Sequence, residues 1–225
     1  MTGIVIPTFN EAGNMPALLE GLAPLGAQLI VVDDGSTDGT EDIAKEAGAH
    51  VIQRGKKMGL ASAYVRGMTE ALQMSLDPIV QMDADLSHQP ADVPRLLDAI
   101  GHADVVLGSR WVPGGGIENW ETSRRWLSKF GSGYARTLLG LPFQDLTGGF
   151  KVWRAATLAA IDLPSIRSEG YAFQVETTYR AHRNQASIKE VPIVFADRLA
   201  GNSKMSWNIA IEAAWVVPML RWRGA

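Results

Sequence analysis

Along the first half of the chain, short apolar runs alternate with longer stretches of helical spacing. Ile4-Val5-Ile6 is a β-branched run stopped by Pro7, and Leu29-Ile30-Val31-Val32 is a second that ends in Asp33-Asp34-Gly35. Between them, Asn14 to Leu22 repeats apolar residues three and four apart, which predicts strand, helix, strand. Thr37-Asp38-Gly39-Thr40-Glu41 supplies cap residues for a helix running to Ala47. His50 to Gln53 predicts a third strand and Leu60 to Leu72 a long helix. The next apolar run, Ile79, Val80 and Met82, ends abruptly in Asp83-Ala84-Asp85. A helix over Pro90 to Ile100 and a strand over Asp104 to Leu107 follow.

Strands alternating with helices of this length predict an α/β, doubly wound, mainly parallel sheet whose ligands sit outside the carboxyl ends of the strands. Three such ends are polar: Pro7-Thr8-Phe9-Asn10-Glu11, Asp33-Asp34-Gly35-Ser36 and Asp83-Ala84-Asp85. Together they predict a cleft with acidic walls. In a strand, residues two apart point to the same face, so Asp83 and Asp85 can aim both carboxylates at one spot just past the strand's carboxyl end. A hard divalent cation, Mg²⁺ or Mn²⁺, would relieve their repulsion, being held by one or two carboxylates plus substrate phosphates. An isolated Asp-x-Asp reads more readily as a solvated turn; the two polar strand ends before it raise the weight of a metal site. His88 reads as a packed histidine rather than a ligand, because hard cations favour oxygen.

Composition narrows the classes. A chain of 225 residues with 46% hydrophobic content can build one large core or two small ones. The absence of cysteine excludes disulfides and thiolate metal sites and fits a reducing cytosol. The opening MTGIVIPTFNE has no basic leader, so neither signal peptide nor anchor is expected, and the stretch Met205 to Leu220 is interrupted by Asn208, Glu212 and Pro218. Residues 1–100 carry 6 Lys and Arg against 14 Asp and Glu, and residues 101–225 carry 15 against 10. The basic second half can receive an anion, and the acidic first half argues against tracking nucleic acid. Neither G-x-G-x-x-G after the first strand nor a P-loop occurs, which disfavours dinucleotide and P-loop chemistry.

The segments VIPTFNEAGN, VVDDGSTDGT, RGKKMGLASAYVRG, QMDADLSHQP, GSRWVPGGG, DLTGGFKVWR, EGYAFQVE and EVPIVFADRLAGNSKM resemble the inverting glycosyltransferases of family 2, and within them the polyprenol-phosphate (dolichol-phosphate) mannose synthases. The likeness runs from about Ile4 to Met205. It implies a Rossmann-like GT-A fold, a mainly parallel sheet flanked by helices with an antiparallel acceptor-side extension. Residues 1–110 would form the nucleotide-sugar half and residues 111–225 the acceptor half, ending in an amphipathic helix, as one continuous catalytic domain.

The resemblance implies transfer of mannose from GDP-mannose to a polyprenyl or dolichyl phosphate with inversion, aided by Mg²⁺ or Mn²⁺. Pro7, Thr8, Asn10, Glu11, Val32, Asp34, Lys57, Gly59, Asp83, Ala84 and Lys204 would bind the nucleotide-sugar, with Asp33 open to a structural role in holding its loop. Gly59 also suits a helix N-cap. Asp83 and Asp85 would hold the metal, Asp85 the more directly, and Ser87 stands where many relatives carry a Gln. A lipid phosphate is already ionised and needs no general base, so positioning and charge compensation would carry the rate. Arg110, Arg124, Ser128 and Arg198 would receive the acceptor phosphate, guanidinium matching phosphate bidentately, with Arg110, Arg124 and Arg198 also counted with Asp85 as catalytic. Arg125 and Arg136 are left to surface ion pairs. Asp145 would orient an Arg or sugar hydroxyls, or hold its loop. Glu176 resembles a cleft-facing residue, and Gly114-Gly115-Gly116 a flexible lid tip.

Trp120 to Leu141 and Trp207 to Trp222 offer aromatic faces, the latter with Trp207, Ile211 and Trp215 every four residues, fit either for a membrane surface or for the core. A peripheral enzyme at the cytoplasmic face of a membrane, or one held by a membrane-anchor protein, follows from that resemblance. A UDP-sugar donor such as UDP-glucose on the same lipid is the alternative within the fold. A non-catalytic nucleotide-binding subunit is the alternative outside it, disfavoured by the joint presence of Asp83, Asp85, Arg110, Arg124 and Lys204.

Overall fold

In the computed structural model of the chain, the described residues are 1–118, 122–196, 215 and 217–222, with the side chains of 122–124 and 127 left aside. The first unit is β1 (Gly3–Thr8), α1 (Met15–Leu22) and β2 (Gln28–Asp33), followed by α2 (Thr40–Glu46), β3 (His50–Gln53), α3 (Leu60–Gln73) and β4 (Ile79–Gln81). Then come α4 (Val93–Ala99), β5 (Val105–Ser109), β6 (Gly116–Ile117), α5 (Thr122–Leu139) and β7 (Lys151–Trp153). The order closes with α6 (Ala155–Ala160), α7 (Gly170–Arg183), β8 (Ile188–Pro192) and β9 (Val194–Phe195).

Seven strands form one sheet in the order β3-β2-β1-β4-β7-β5-β8, while β6 and β9 pair separately. All neighbours in the large sheet are parallel except β7, which runs antiparallel between β4 and β5 and matches Val152 to Val80 and to Val106. The antiparallel part expected of the second half thus takes the form of a strand inserted inside the sheet. Strands from both halves of the chain share it.

The strands alternate their cores. Ile4, Ile6, Val31, Val80 and Met82 pack with Met15, Leu18, Ala44 and Val93 of α1, α2 and α4 on one face. Val5, Ile30, Val32, Ile79 and Leu107 pack on the other with Tyr64, Met68, Leu139 and Phe173 of α3, α5 and α7. Each such fully buried aliphatic contributes about 1.5–3 kcal/mol. Helix α3 lies so close that a Cβ on Gly67 would stand 2.4 Å from Val5 Cγ1. That approach holds its amino end over the strand termini.

Two expectations about β1 and β4 need correction. β1 continues through Pro7 to Thr8. Pro7 has no N–H, but its nitrogen faces the β4 side, where the last ladder bond runs from Met82 N to Val5 O and the neighbouring chain then turns away. β4 in turn stops at Gln81, so Asp83 and Asp85 lie on a turn and not in the strand.

Candidate active site

The carboxyl ends of β1, β2, β3 and β4 meet in one cleft, and side-chain hydrogen bonds fix each loop there. Asp33 at the end of β2 is fully buried. Its Oδ1 accepts the N–H groups of Gly35 (3.0 Å) and Ser36 (2.8 Å), and its Oδ2 accepts the hydroxyls of Thr8 (2.8 Å) and Ser36 (2.6 Å). Asp33 is therefore the loop holder. Asn10, at a φ of 58°, joins the same lattice: its N–H donates to Ser36 Oγ at 2.8 Å and its Oδ1 accepts Thr37 N–H at 3.0 Å. Glu11 N–H donates to Thr40 Oγ1 at 2.9 Å, and Glu11 Oε2 accepts Asn14 Nδ2 at 2.7 Å.

Asp34 faces the opposite way. Its Oδ1 pairs with the Arg54 guanidinium (Nε, 2.5 Å) and its Oδ2 accepts Met58 N–H at 3.0 Å. Arg54 also donates to Gly59 O at 3.0 Å and Ser62 Oγ at 2.7 Å, so Asp34 and Arg54 together shape the Lys57–Gly59 loop. Lys57 Nζ stands 4.3 Å from the centre of the Phe9 ring, bridging the β1 loop to this one. Gly59 adopts a φ of 97°, and a Cβ there would meet Glu169 Oε2 at 3.0 Å, which brings the start of α7 to the cleft. Val32 and Ala84 have their side chains in the core, so only their backbone can line the cleft.

The Asp83-Asp85 turn is oriented by hydrogen bonds, not by strand periodicity. Tyr64 of α3, fully buried, donates its hydroxyl to Asp83 Oδ1 at 2.5 Å. Burial first, then the charges of Asp83 and Asp85, push the Tyr64 phenol well above its ordinary value, so it stays a donor at neutral pH. Asp83 N–H donates to His88 Nδ1 at 3.0 Å. His88 stacks on Phe150 at 4.9 Å and meets Phe195 edge-on at 5.4 Å, so it is a packed residue. Ser87 is fully buried and spends its N–H (3.1 Å) and hydroxyl (2.5 Å) on Asp85 Oδ1, orienting Asp85 from behind. Asp83 keeps 24% of its side chain exposed while Asp85 is buried. Among the described residues no group of three or more His, Cys, Asp or Glu could hold a metal ion.

The second wall is built on Arg110, just past β5. Its Nε and NH2 donate to Asp145 Oδ2 and Oδ1, each at 2.7 Å, its backbone N–H to Oδ2 at 2.9 Å, and NH2 again to Thr147 Oγ1 at 2.9 Å. Burial alone would raise the Asp145 carboxyl, but the Arg110 charge and the hydrogen bonds from Arg110 and Gly148 hold it below the usual carboxylate range. Asp145 thus orients an arginine and, by accepting Gly148 N–H at 3.1 Å, also holds its loop. Glu190 of β8 fixes this loop by accepting Gln144 N–H and Asp145 N–H, both at 2.9 Å.

Helix α5 carries the wall outward. Ser128 and Ser132, one turn apart, lie 3.5 and 3.2 Å from Thr147 Oγ1. On another face Trp126 and Phe130 are 69% and 72% exposed. Residues 217–222 are helical, burying Val217 and Leu220 while exposing Met219 and Trp222. Arg221 caps the Leu138 carbonyl, and a groove of about 520 Å³ opens there between Phe130, Tyr134, Leu138 and Arg221.

Sequence-predicted residues Thr8, Asn10, Glu11, Asp34, Lys57, Gly59, Asp83 and Asp85 therefore share the first wall, and Arg110 and Ser128 the second. Arg124 lies one turn before Ser128 in α5 with its side chain outside the described residues; Arg198, Lys204, Trp207 and Ile211 lie outside them entirely. Glu176 is buried, with its carboxylate on Arg180 (2.5 Å) and on the Ser168 hydroxyl. Nor is Gly115 a free lid tip, because a Cβ there would stand 2.5 Å from Ser109 O. Sequence reasoning passed over Arg54, although it follows β3 directly at the level of the other polar strand ends. It also passed over Tyr64, whose place on the apolar face of α3 obliges its hydroxyl to find a partner. Trp111 was missed too: its Nε1 is sealed without a partner among the described residues, and its ring lies 5.7 Å from the Arg110 guanidinium and 5.9 Å from Lys129 Nζ.

Comparison with known proteins converges with this geometry. Residues 3–161 match the family model described as glycosyl transferase family 2. An undecaprenyl-phosphate mannosyltransferase of Micrococcus luteus is 48% identical over 225 residues, covering 97% of this chain and 92% of that protein. A polyprenol monophosphomannose synthase of Mycolicibacterium smegmatis is 42% identical, covering 96% and 85%. Solved structures of glucosyl-3-phosphoglycerate synthase from Mycobacterium tuberculosis share the fold. The complex with Mn²⁺, UDP and glucosyl-3-phosphoglycerate has a TM-score of 0.71 at 19% identity, covering 100% of this chain and 80% of that one. The complex with Mg²⁺ and UDP has a TM-score of 0.72 at 20% identity, covering 100% and 79%.

Proposed function

The chain belongs to glycosyl transferase family 2, and from that premise we propose that it transfers mannose from GDP-mannose to a polyprenyl monophosphate of dolichyl type, with inversion. The observation that carries the reading is the two-faced helix α5. Ser128 and Ser132 border the Arg110–Asp145–Thr147 cluster, while Trp126 and Phe130 stand exposed on the same helix. An acceptor with an anionic head and an apolar tail matches both faces. The similarity to mannosyltransferases of undecaprenyl and polyprenol phosphates, over nearly the whole chain, supports the choice of sugar and lipid.

Pro7, Thr8, Asn10, Glu11, Val32, Asp34, Lys57, Gly59 and Ala84 line the nucleoside end, with Lys204 joining them at the diphosphate. Arg110, Arg124, Ser128 and Arg198 receive the acceptor phosphate, with the Trp111 ring 5.7 Å from the Arg110 guanidinium. A phosphate monoester is mostly ionised at pH 7, so no side chain has to take a proton from it. Its oxygen attacks the anomeric carbon, the bond from that carbon to the diphosphate oxygen breaks, and the electron pair leaves with the diphosphate. Arg110 is held rigidly by four hydrogen bonds, so little reorganisation accompanies the charge shift.

Asp83 and Asp85 would hold Mg²⁺ or Mn²⁺. The donor set fits: it is all oxygen, Asp83 is partly open, and a hard cation held by two carboxylates takes its remaining ligands from diphosphate and water. Such a cation neutralises charge on the departing diphosphate. The enzyme would work peripherally at the cytoplasmic face of a membrane or beside a membrane-anchor protein; no described helix is long and apolar enough to cross a membrane. A labelled donor panel with polyprenyl phosphate tests the reading. Lipid-linked mannose from GDP-mannose is expected, and transfer from UDP-glucose alone would overturn it.

A further inference from the structure

Behind the Asp83 turn runs a buried relay whose hydrogen-bond direction is forced by one group. The indole N–H of Trp153 is donor only, and it donates to Gln81 Oε1 at 3.3 Å. Gln81 must therefore present its Nε2 on the other side, where it donates to Gln174 Oε1 at 2.9 Å. This fixes the amide of Gln174 in turn, leaving its Nε2 on the side of Gly149. The backbone of Gln174 is pinned as well. Its carbonyl accepts the Lys151 ammonium at 2.7 Å and the hydroxyls of Thr177 and Thr178 at 3.1 and 3.0 Å.

The outward end of the relay reaches the cleft at Gly149. A methyl built on Gly149 would lie 3.4 Å from Gln174 Nε2, 3.5 Å from His88 Cε1 and 3.7 Å from Asp83 Oδ2. An amide donor and a carboxylate acceptor thus flank one small gap, and the missing side chain of Gly149 keeps it open. Gln174 is only 4% exposed, and its Nε2 has no acceptor among the described residues. The other oxygen of Asp83, Oδ1, is already taken by Tyr64. A gap with one donor and one acceptor suits a hydroxyl, which accepts from the first and donates to the second.

We propose that Gln174 is a substrate-binding residue: its side-chain amide and Asp83, facing each other across Gly149, form a subsite for one hydroxyl of the nucleotide-sugar. The inference rests on the donor-site reading above. Two sources carry such a hydroxyl, the ribose and the transferred sugar. The experiment separates them.

Gln174→Glu retains an oxygen for Gln81 and the carbonyl for Lys151 but removes the donor. Gly149→Ala fills the gap at ordinary contact distances, on a backbone that needs no left-handed φ. Binding of GDP-mannose and of GDP with Mg²⁺ is measured by calorimetry on both variants, alongside melting temperature. The expected result is a loss of about tenfold in GDP-mannose affinity in Gly149→Ala at unchanged melting temperature, with a loss at least as large in Gln174→Glu. An equal loss for GDP assigns the hydroxyl to ribose, and an unaffected GDP affinity assigns it to the sugar; both support the subsite. GDP-mannose affinity within twofold of wild type in Gly149→Ala overturns it, whether or not Gln174→Glu folds. If the wild type binds UDP-glucose and not GDP-mannose, the mannose reading fails and the same comparison, run with UDP-glucose and UDP, still decides the subsite.

Discussion

Replacing Asp145 by Asn tests whether the Arg110 wall is held as described. The carboxylate accepts four N–H groups, two on each oxygen: Arg110 N and Nε on Oδ2, Arg110 NH2 and Gly148 N on Oδ1. An Asn keeps one oxygen, so in either orientation two of those donors face an NH2. The Arg110 side chain, 3% exposed beside a carboxylate at 0%, also loses its counter-ion. Removing one partner of a buried pair costs about 3–5 kcal/mol. At roughly 2–4 °C per kcal/mol for a chain of this size, the melting temperature should fall by about 6–20 °C. The loss should be full at neutral pH. Because Asp145 titrates below its unfolded value, its contribution is present above that value, near 3.8, and disappears as pH falls through the folded one. Thermal and urea unfolding of Asp145→Asn measure this. The double variant Arg110→Met with Asp145→Leu, which removes both charges, should recover most of the stability while lipid-linked product remains absent. A melting temperature for Asp145→Asn within a degree of wild type, or an active double variant, would refute the reasoning.

Other outcomes follow from the same contacts. Lys151 is buried with its ammonium on Gln174 O, Thr177 Oγ1 and Thr178 Oγ1, and burial lowers its pKa from 10.5 to about 7. The unfolded chain then binds more protons between those values, so stability rises with pH there, by up to about 1.4 kcal/mol per unit. Urea unfolding across that range should lose this slope in Lys151→Met, and an identical slope in both proteins would contradict it. Tyr64→Phe removes the hydroxyl on Asp83 Oδ1 without opening a cavity; a severalfold rise in donor KM with a stability loss of about 1.5 kcal/mol is expected, and an unchanged KM would sink the positioning role. Trp126→Ser with Phe130→Ser should weaken sedimentation with anionic vesicles and leave the melting temperature within about 2 °C, since both residues are exposed. Unchanged sedimentation would remove α5 from the membrane-facing surface.

The alternating βα half and its three polar strand ends were legible because they rest on local periodicity, and local periodicity is what a sequence displays. Asp83 and Asp85 were legible as a pair but for another reason than the one at work. The strand stops at Gln81, and the turn is shaped by local bonds of Ser87 and His88 and by Tyr64, whose bond depends on where α3 packs. The insertion of β7 between β4 and β5 left no local mark, because Val152 finds Val80 and Val106 only through long-range register. Arg110 was named as a phosphate ligand from its type and motif, whereas its partner Asp145 had three open readings, of which the contacts to Arg110 and to Gly148 N–H realise two. For Glu176 the overlooked signal was local: Arg180 stands four residues on in the same helix and pairs with its carboxylate, an i,i+4 spacing that the sequence displays.

The central claim is that the Asp83-Asp85 turn holds a cation and a nucleoside diphosphate opposite the Arg110 wall. Diffraction from crystals soaked with Mn²⁺ and GDP-mannose, collected at the manganese edge, tests it most directly. The expected result is one anomalous peak about 2.2 Å from a carboxylate oxygen of Asp85, with diphosphate oxygens completing its shell. Bound nucleotide with no peak at the turn, or a peak away from Asp83 and Asp85, would contradict it.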